Sequence, residues 1–401
     1  MITEEFSFTL PPSLKLLLLI AAGLGSAFAA YVSNGTALQA WRKARDQHWT
    51  ERARLYFPAR CTAANNLWVI PVVVCLGIEL FWPKTAPHWS LIALVSAFST
   101  ALSTVPMDRE VFPRISPANL WRQVALGWTT RLLLWSFFLI AIALMPERFN
   151  LTCLGIAFAL VSLLIWYEQI GGMYLGRKLD LLVEPPERLR RIVANTAAQM
   201  HVPYRELWVL RISIAQAYAI PGRRRLLFTE RLLEILSDAE IAAACAHELA
   251  HLTEARRDYA LRYLGYLFFL PWIFLTPILH TCGVPGLFLL LGITMVVPIL
   301  IKKISHRLEV RADTIAQTTE TNPGIYAQAL ARIYEDNLLP AVNPRKNATH
   351  PHLYDRLLAA GMTPDFPRPE PPKAITWQGT LFASLMGGLA VLVLLRNSVD
   401  Q

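Results

Sequence analysis

Charge is scarce in this chain: of its 401 residues only 17% are Asp, Glu, Lys or Arg, while 54% are hydrophobic. A soluble domain carries about 25% charged residues, so this balance argues against an ordinary water-soluble fold and for an integral membrane protein. Cysteine is scarcer still. Cys61, Cys75, Cys153, Cys245 and Cys282 show no paired spacing, which excludes a disulfide framework and a cysteine-based metal site. Internal repeats and low-complexity tracts are also missing. The amino terminus lacks the positive charge of a signal peptide: Glu4 and Glu5 stand where Lys or Arg belongs, although SAFAA at 26–30 looks like a cleavage site. The first apolar run therefore reads as an uncleaved span.

Long apolar runs are abundant. A span needs about 20 mostly apolar residues, and eight runs qualify, at about 13–32, 67–82, 90–106, 125–145, 151–170, 260–279, 284–301 and 377–395. The second and third are the shortest. The net charge of +9 is explained by topology. Arg42, Lys43, Arg45, Arg52, Arg54 and Arg60 follow the first span, and segments 171–259 and 302–376 hold most other basic residues. On the opposite side lie only Lys84, Arg148 and Arg396, with Lys15 at the edge of the first span. With the amino terminus outside, eight spans put every basic segment on the cytoplasmic side, as the positive-inside rule requires. Basic patches then meet lipid headgroups, and nucleic acid is not an expected partner. A transporter would want ionisable groups deep in its spans. Glu79, Arg131 and Glu168 sit near predicted span ends, where snorkelling suffices.

The chain divides accordingly into a five-span region (1–170), a polar segment (171–259), a two-span hairpin (260–301), a second polar segment (302–376) and a last span with its tail (377–401). The two polar segments together make one normal domain, so the hairpin must bring them to the same membrane face. In the first, ERLRRIVANTAAQM has a helical period, ELWVLRIS reads as a strand, and AQAYAIPGRRRLLFT reads as two strands about the Pro221-Gly222 turn. Ser237 with Glu240 forms a capping box that starts a helix near 238 and runs it to about Arg257.

That helix carries H-E-L-A-H. Four residues apart, His247 and His251 share a helix face and can hold one tetrahedral ion, while Glu248 is placed as general base. Cys245 is turned away by its helical offset. A catalytic zinc needs a third protein ligand and an open position. KKISHRLEVRADTIAQ offers Glu309, with His306 as rival. Asp313, four residues beyond Glu309, can accept the free N–H of a ligand imidazole; Val310, at the same offset from His306, offers nothing comparable.

HELAH, a hairpin and then SHRLEVRAD resemble the membrane zinc metallopeptidases that include HtpX and the type I CAAX prenyl protease. Ser305, Arg307, Glu309, Ala312 and Asp313 match, while His306 and Ala250 depart from the common residues there. The resemblance, covering about 170–360, implies that AQAYAIPG contains an edge strand for the substrate backbone, with Gln216, Ala217 and Tyr218 in contact and Gln replacing a usual Asn. THPHLYDRL resembles an H-P-x-x-x-x-R element, which implies His350 as donor to the reaction's oxyanion and Arg356 as structural support.

The expectation is an α-helical polytopic membrane protein of about eight spans, with a cytoplasmic α+β zincin-like domain split by a two-span hairpin. It would bind one Zn2+ and hydrolyse peptide bonds of membrane or membrane-associated proteins, in a bacterial inner (plasma) membrane with the site facing the cytoplasm. The alternatives are a processing protease for prenyl-type lipidated peptides, or a sensor with a zincin domain. A sensor predicts a sizeable outer ligand-binding part, and the outer loops are only a few residues long.

Overall fold

The computed structural model describes residues 12–81, 89–258, 260–261, 270–344, 351–373 and 385. The expected last span (apart from Leu385), His350, and the side chains of Glu79, Arg131 and Glu168 lie outside the described residues. The chain separates into two compact units, Met1–Ser116 with Pro372–Gln401, and Pro117–Pro371.

The first unit contains α1 (Pro12–Ala37), α2 (Gln39–Lys43), α3 (Trp49–Phe81), α4 (Trp89–Leu102) and α5 (Val105–Val111). Small or polar residues recur every fourth position on α1, and Ala22, Ser26, Ala30 and Asn34 are all buried. Ile92, Ser96 and Thr100 repeat the spacing on α4. Such stripes let helix backbones approach closely in lipid, where polar side chains then bond across the interface. Ser26 Oγ and Ser96 Oγ meet at 2.6 Å, and Asn66 Nδ2 of α3 donates to Asn34 Oδ1 at 2.9 Å. The short second run is part of a longer element than its hydropathy suggests. Helix α3 already begins at Trp49, within the basic stretch, where Arg54 pairs with Glu51 one turn away.

The second unit starts with α6 (Pro117–Ala143), α7 (Leu151–Trp166), a π turn (Tyr167–Gly171) and α8 (Gly172–Lys178). Phe138 and Ala141 of α6 pack with Cys153, Leu160 and Leu164 of α7 and with Ile273. The polar portion follows as β1 (Leu182–Val183), α9 (Glu187–Met200), β2 (Glu206–Leu210), β3 (Ala217–Ile220), β4 (Arg225–Thr229), α10 (Glu230–Ile235) and α11 (Asp238–Leu252). The strands form one sheet in the order β1-β2-β4-β3, with β2 and β4 parallel and β3 antiparallel to β4 at the edge. Val209, Phe228, Ile192, Val193, Ile241, Cys245 and Leu249 form its core against α9 and α11.

Next comes α12 (Leu275–Thr319), which breaks at Gly283 (φ 57°, ψ −148°), a conformation open essentially to glycine alone. The chain folds back there: Trp272 Nε1 donates to Thr294 Oγ1 at 2.7 Å, and the two lie equally far from Gly283 in sequence. Beyond the break the helix runs to Thr319, so the apolar run 284–301 and the Glu309 segment form one element. Helices α13 (Ile325–Asp336) and α14 (Leu353–Ala359) complete the unit. Among the described residues, the helical stretches Ser13–Lys43, Trp49–Ile78, Leu91–Val111 and Leu270–Thr319 are long and apolar enough to cross a membrane, and Leu151–Trp166 is a shorter apolar helix.

Candidate active site

Helix α11 is aimed by its buried stripe. Ile241, Cys245, Leu249 and Leu252 face the core, leaving His247, Glu248 and His251 on other faces. Its start is fixed by the capping box: Ser237 Oγ accepts from the Glu240 amide, and the Glu240 carboxylate accepts from Ser237 N–H at 2.8 Å. Its end comes earlier than the expected 257. Arg311 of α12 donates to the Ala250 carbonyl and, at 2.7 Å, to Thr253 Oγ1, while the Thr253 hydroxyl donates to the same carbonyl. With that carbonyl claimed, the helix stops at Leu252.

His247, His251 and Glu309 converge. His247 Nε2 and His251 Nε2 are 3.2 Å apart, and the Glu309 carboxylate oxygens lie 3.6 Å and 3.7 Å from them. Donors at about 2.0–2.2 Å from one tetrahedral ion lie roughly 3.3–3.6 Å from each other, so the three fit a single metal ion. They are the one such His/Cys/Asp/Glu group found among the described residues, and His306 is not part of it. None of the five cysteines is disulfide-bonded.

Each imidazole is held from behind. His247 Nδ1 lies 3.1 Å from Asp313 Oδ1 and 2.7 Å from the Tyr326 hydroxyl. Tyr326 in turn donates to Asp313 at 2.6 Å and accepts from Arg356 Nη2 at 2.9 Å, while Arg356 also donates to Asp313 at 2.5 Å. His251 Nδ1 donates to Glu254 Oε1 at 2.6 Å. Reading the sequence identifies Asp313 and Arg356 but misses Tyr326 and Glu254. Tyr326 sits in the apolar pattern of α13, where it reads as core. Glu254 carried only a charge near a helix end, and its inward turn depends on the helix stopping early.

The electrostatics favour positive charge at the three donors. Burial pushes the Asp313 carboxyl up, but the hydrogen bond from His247 and the Arg356 guanidinium outweigh it and hold the group at about 2. Burial pushes His247 down, yet Asp313 and Glu309 raise it to about 9. A divalent cation held by the three donors would supply that positive charge in place of a proton. Glu248 is raised above the ordinary carboxylate range, first by burial, which suits a proton acceptor poised nearer neutral pH. Its carboxylate also accepts from the Ala219 backbone, linking the base to edge strand β3.

A cavity of about 170 Å³ opens beside these groups. His247, Glu248 and Glu309 form one wall, Gln216 and Ala217 the strand side, and Leu232, Leu330 and Ile333 part of an apolar floor. Gln216 is exposed, and its Oε1 accepts from the Tyr218 hydroxyl at 2.9 Å. Burial and the nearby Glu248 raise that phenol to about 12.

No curated protein matches the chain as a relative. The family model described as peptidase family M48 matches residues 184–362, a segment that holds every residue of the His247–His251–Glu309 group and its supports. Over residues 184–362 the chain thus matches the model of peptidase family M48, the metallopeptidase family that contains HtpX and the CAAX prenyl protease.

Proposed function

We propose that this chain is a zinc-dependent endopeptidase of the membrane that cleaves membrane or membrane-associated proteins at the cytoplasmic face. The observation that carries the reading is one cavity in which Glu248 and edge strand β3 flank the His247–His251–Glu309 donor set. Two imidazoles and a carboxylate, with room for a fourth ligand, are a donor set suited to catalytic zinc. When bound there, the ion supplies Lewis acidity to the scissile carbonyl and acidifies its water. Glu248 takes the proton of the attacking water and returns it to the leaving amine. Asp313 and Glu254 keep both imidazole Nε2 atoms turned inward. Strand β3 offers its free edge to the substrate backbone. His350 is assigned to the oxyanion on sequence grounds, with Arg356 holding Asp313 and Tyr326 in place.

The membrane plan proposed is eight spans with the protease portion split by the 260–301 hairpin, in a bacterial inner membrane with the basic segments inside. Purified protein tests the reading through metal analysis and a casein digest, comparing wild type with Glu248→Gln. Retained zinc with cleavage reduced at least 100-fold is expected, the range of a lost general base. Cleavage that survives Glu248→Gln removes that residue as base, and absence of zinc from both proteins removes the metal site.

A further inference from the structure

Two apolar helices of the second unit end in cations beside the sheet. Arg122 of α6 stands one turn ahead of the apolar run 125–145, and Arg177 and Lys178 close α8 after residues 169–176, which carry no charge. Trp121 and Tyr174, next to these cations, are exposed. Aromatic rings and cations just beyond apolar helices mark the headgroup level of a bilayer. The chain then turns at Asp180, in a left-handed conformation (φ 53°) that Asp tolerates. Arg211 N–H donates to the Leu181 carbonyl at 2.7 Å, so the turn brings the end of β2 to the same place. Arg211 Nη1 lies 2.9 Å, and Arg122 Nη1 3.8 Å, from one oxygen, Asp180 Oδ2. Two guanidinium groups from distant segments thus converge on a carboxylate that stays 61% exposed. Arg177 lies over the Trp208 ring at 4.1 Å and Lys178 over Tyr174 at 5.6 Å, while the neighbouring Glu206 is taken by Arg225 and the Trp208 ring N–H. Four cations are left with Asp180 as the acid paired to any of them among the described residues. Exposed ion pairs contribute little, so this carboxylate yields readily to a stronger anion.

We propose that Arg122, Arg177, Lys178 and Arg211 bind the phosphodiester headgroup of an anionic phospholipid, and that the bound lipid braces the loop leading into β3. Guanidinium forks match phosphate oxygens in pairs, and basic pockets between apolar helices at a membrane surface are where such headgroups bind. The flanking rings and apolar helices give the acyl chains a place to lie, which a soluble phosphate would leave unused. The loop enters through Ser213, two residues after Arg211. Its hydroxyl donates at 2.8 Å to Oε1 of Gln123, the residue after Arg122. Ala215 and Gln216 come next and line the cavity beside the donor set. A phosphate shared by Arg122 and Arg211 holds both chain segments on either side of the Ser213–Gln123 contact, so the cavity's strand side depends on lipid charge. The proposal goes beyond the peptidase reading and rests on the membrane reading alone.

The test mixes full-length protein in neutral detergent with equal amounts of phosphatidylglycerol and phosphatidylcholine and reads the retained lipid by native mass spectrometry. Wild type should prefer phosphatidylglycerol, and replacing Arg122 and Arg211 with Gln should lower the preference by about 5-fold for each charge removed. Asp180→Asn, which removes the competing carboxylate, should raise it. In phosphatidylcholine vesicles, adding phosphatidylglycerol should slow amide exchange over residues 211–217 in wild type and not in the double variant. Should the double variant fail to fold, wild type and Asp180→Asn decide. Equal retention of the two lipids, an unchanged preference in the folded double variant, or displacement of the lipid by inorganic phosphate overturns the site. Binding without slower exchange overturns the bracing of the loop. Protein that stays in solution without detergent overturns the membrane reading and this one with it. None of these readouts needs cleavage, so a wild type that cuts no peptide overturns the peptidase reading and leaves the lipid site standing.

Discussion

At the scale of single residues, the two metal-facing imidazoles are held by different means. His247 leans on Asp313, which comes from the element that carries Glu309, whereas His251 leans on Glu254, three residues further along its own chain segment. A carboxylate behind a ligand imidazole fixes its tautomer and strengthens it as a donor. Replacing Glu254 with Ala should weaken zinc binding by about 10–100-fold, the usual cost of losing such a partner, measured by competition with a chelator. Unchanged affinity would show that His251 needs no support. Asp313 gives a pH signature. Its carboxyl is held at about 2, below the ordinary value of 3.8, so its contribution to stability is complete above about pH 4. As pH falls toward 2 the group protonates and that contribution is lost. Melting temperature followed in metal-free protein from pH 5 to 2 should fall more steeply for wild type than for Asp313→Asn; parallel profiles would count against this coupling.

At the scale of elements, what was legible divides along local and tertiary lines. The start of α11 follows from a short-range signal, Ser237 with Glu240, and so do α9 and the β3–β4 hairpin about Pro221. The end of α11 does not, because the group that stops it is Arg311, far along the chain on α12. For the same reason Glu309 and Asp313 were readable as an i, i+4 pair, while the roles of Tyr326 and Glu254 appear only once α12 and α13 pack against α11. The cap itself is testable. Ser237→Ala should lower stability by about 1 kcal/mol, or a melting temperature drop of about 2–4 °C for a unit of this size. The loss should be smaller than that of Glu240→Ala, because Glu240 also pairs with Arg332 at 3.1 Å. An equal loss for the two would mean that the Arg332 pair contributes nothing.

At the scale of the molecule, the donor set joins two segments that the chain keeps apart. His247 and His251 belong to α11, Glu309 belongs to α12, and the fold-back at Gly283 lies between them in sequence. The ion would then act as a cross-link in the second unit, binding the folded form and not the separated segments. At a free zinc concentration about 1,000 times its dissociation constant, such binding stabilises by about 4 kcal/mol. For a unit of this size that corresponds to a rise in melting temperature on the order of 10 °C. Stripping the metal with a chelator should therefore lower the melting temperature by about that amount, and restoring zinc should recover it. Glu309→Gln should melt near the stripped wild type and respond little to either treatment, because one of the three donors has lost its charge. A wild-type melting temperature that ignores both chelator and zinc would show that α11 and α12 hold each other without an ion.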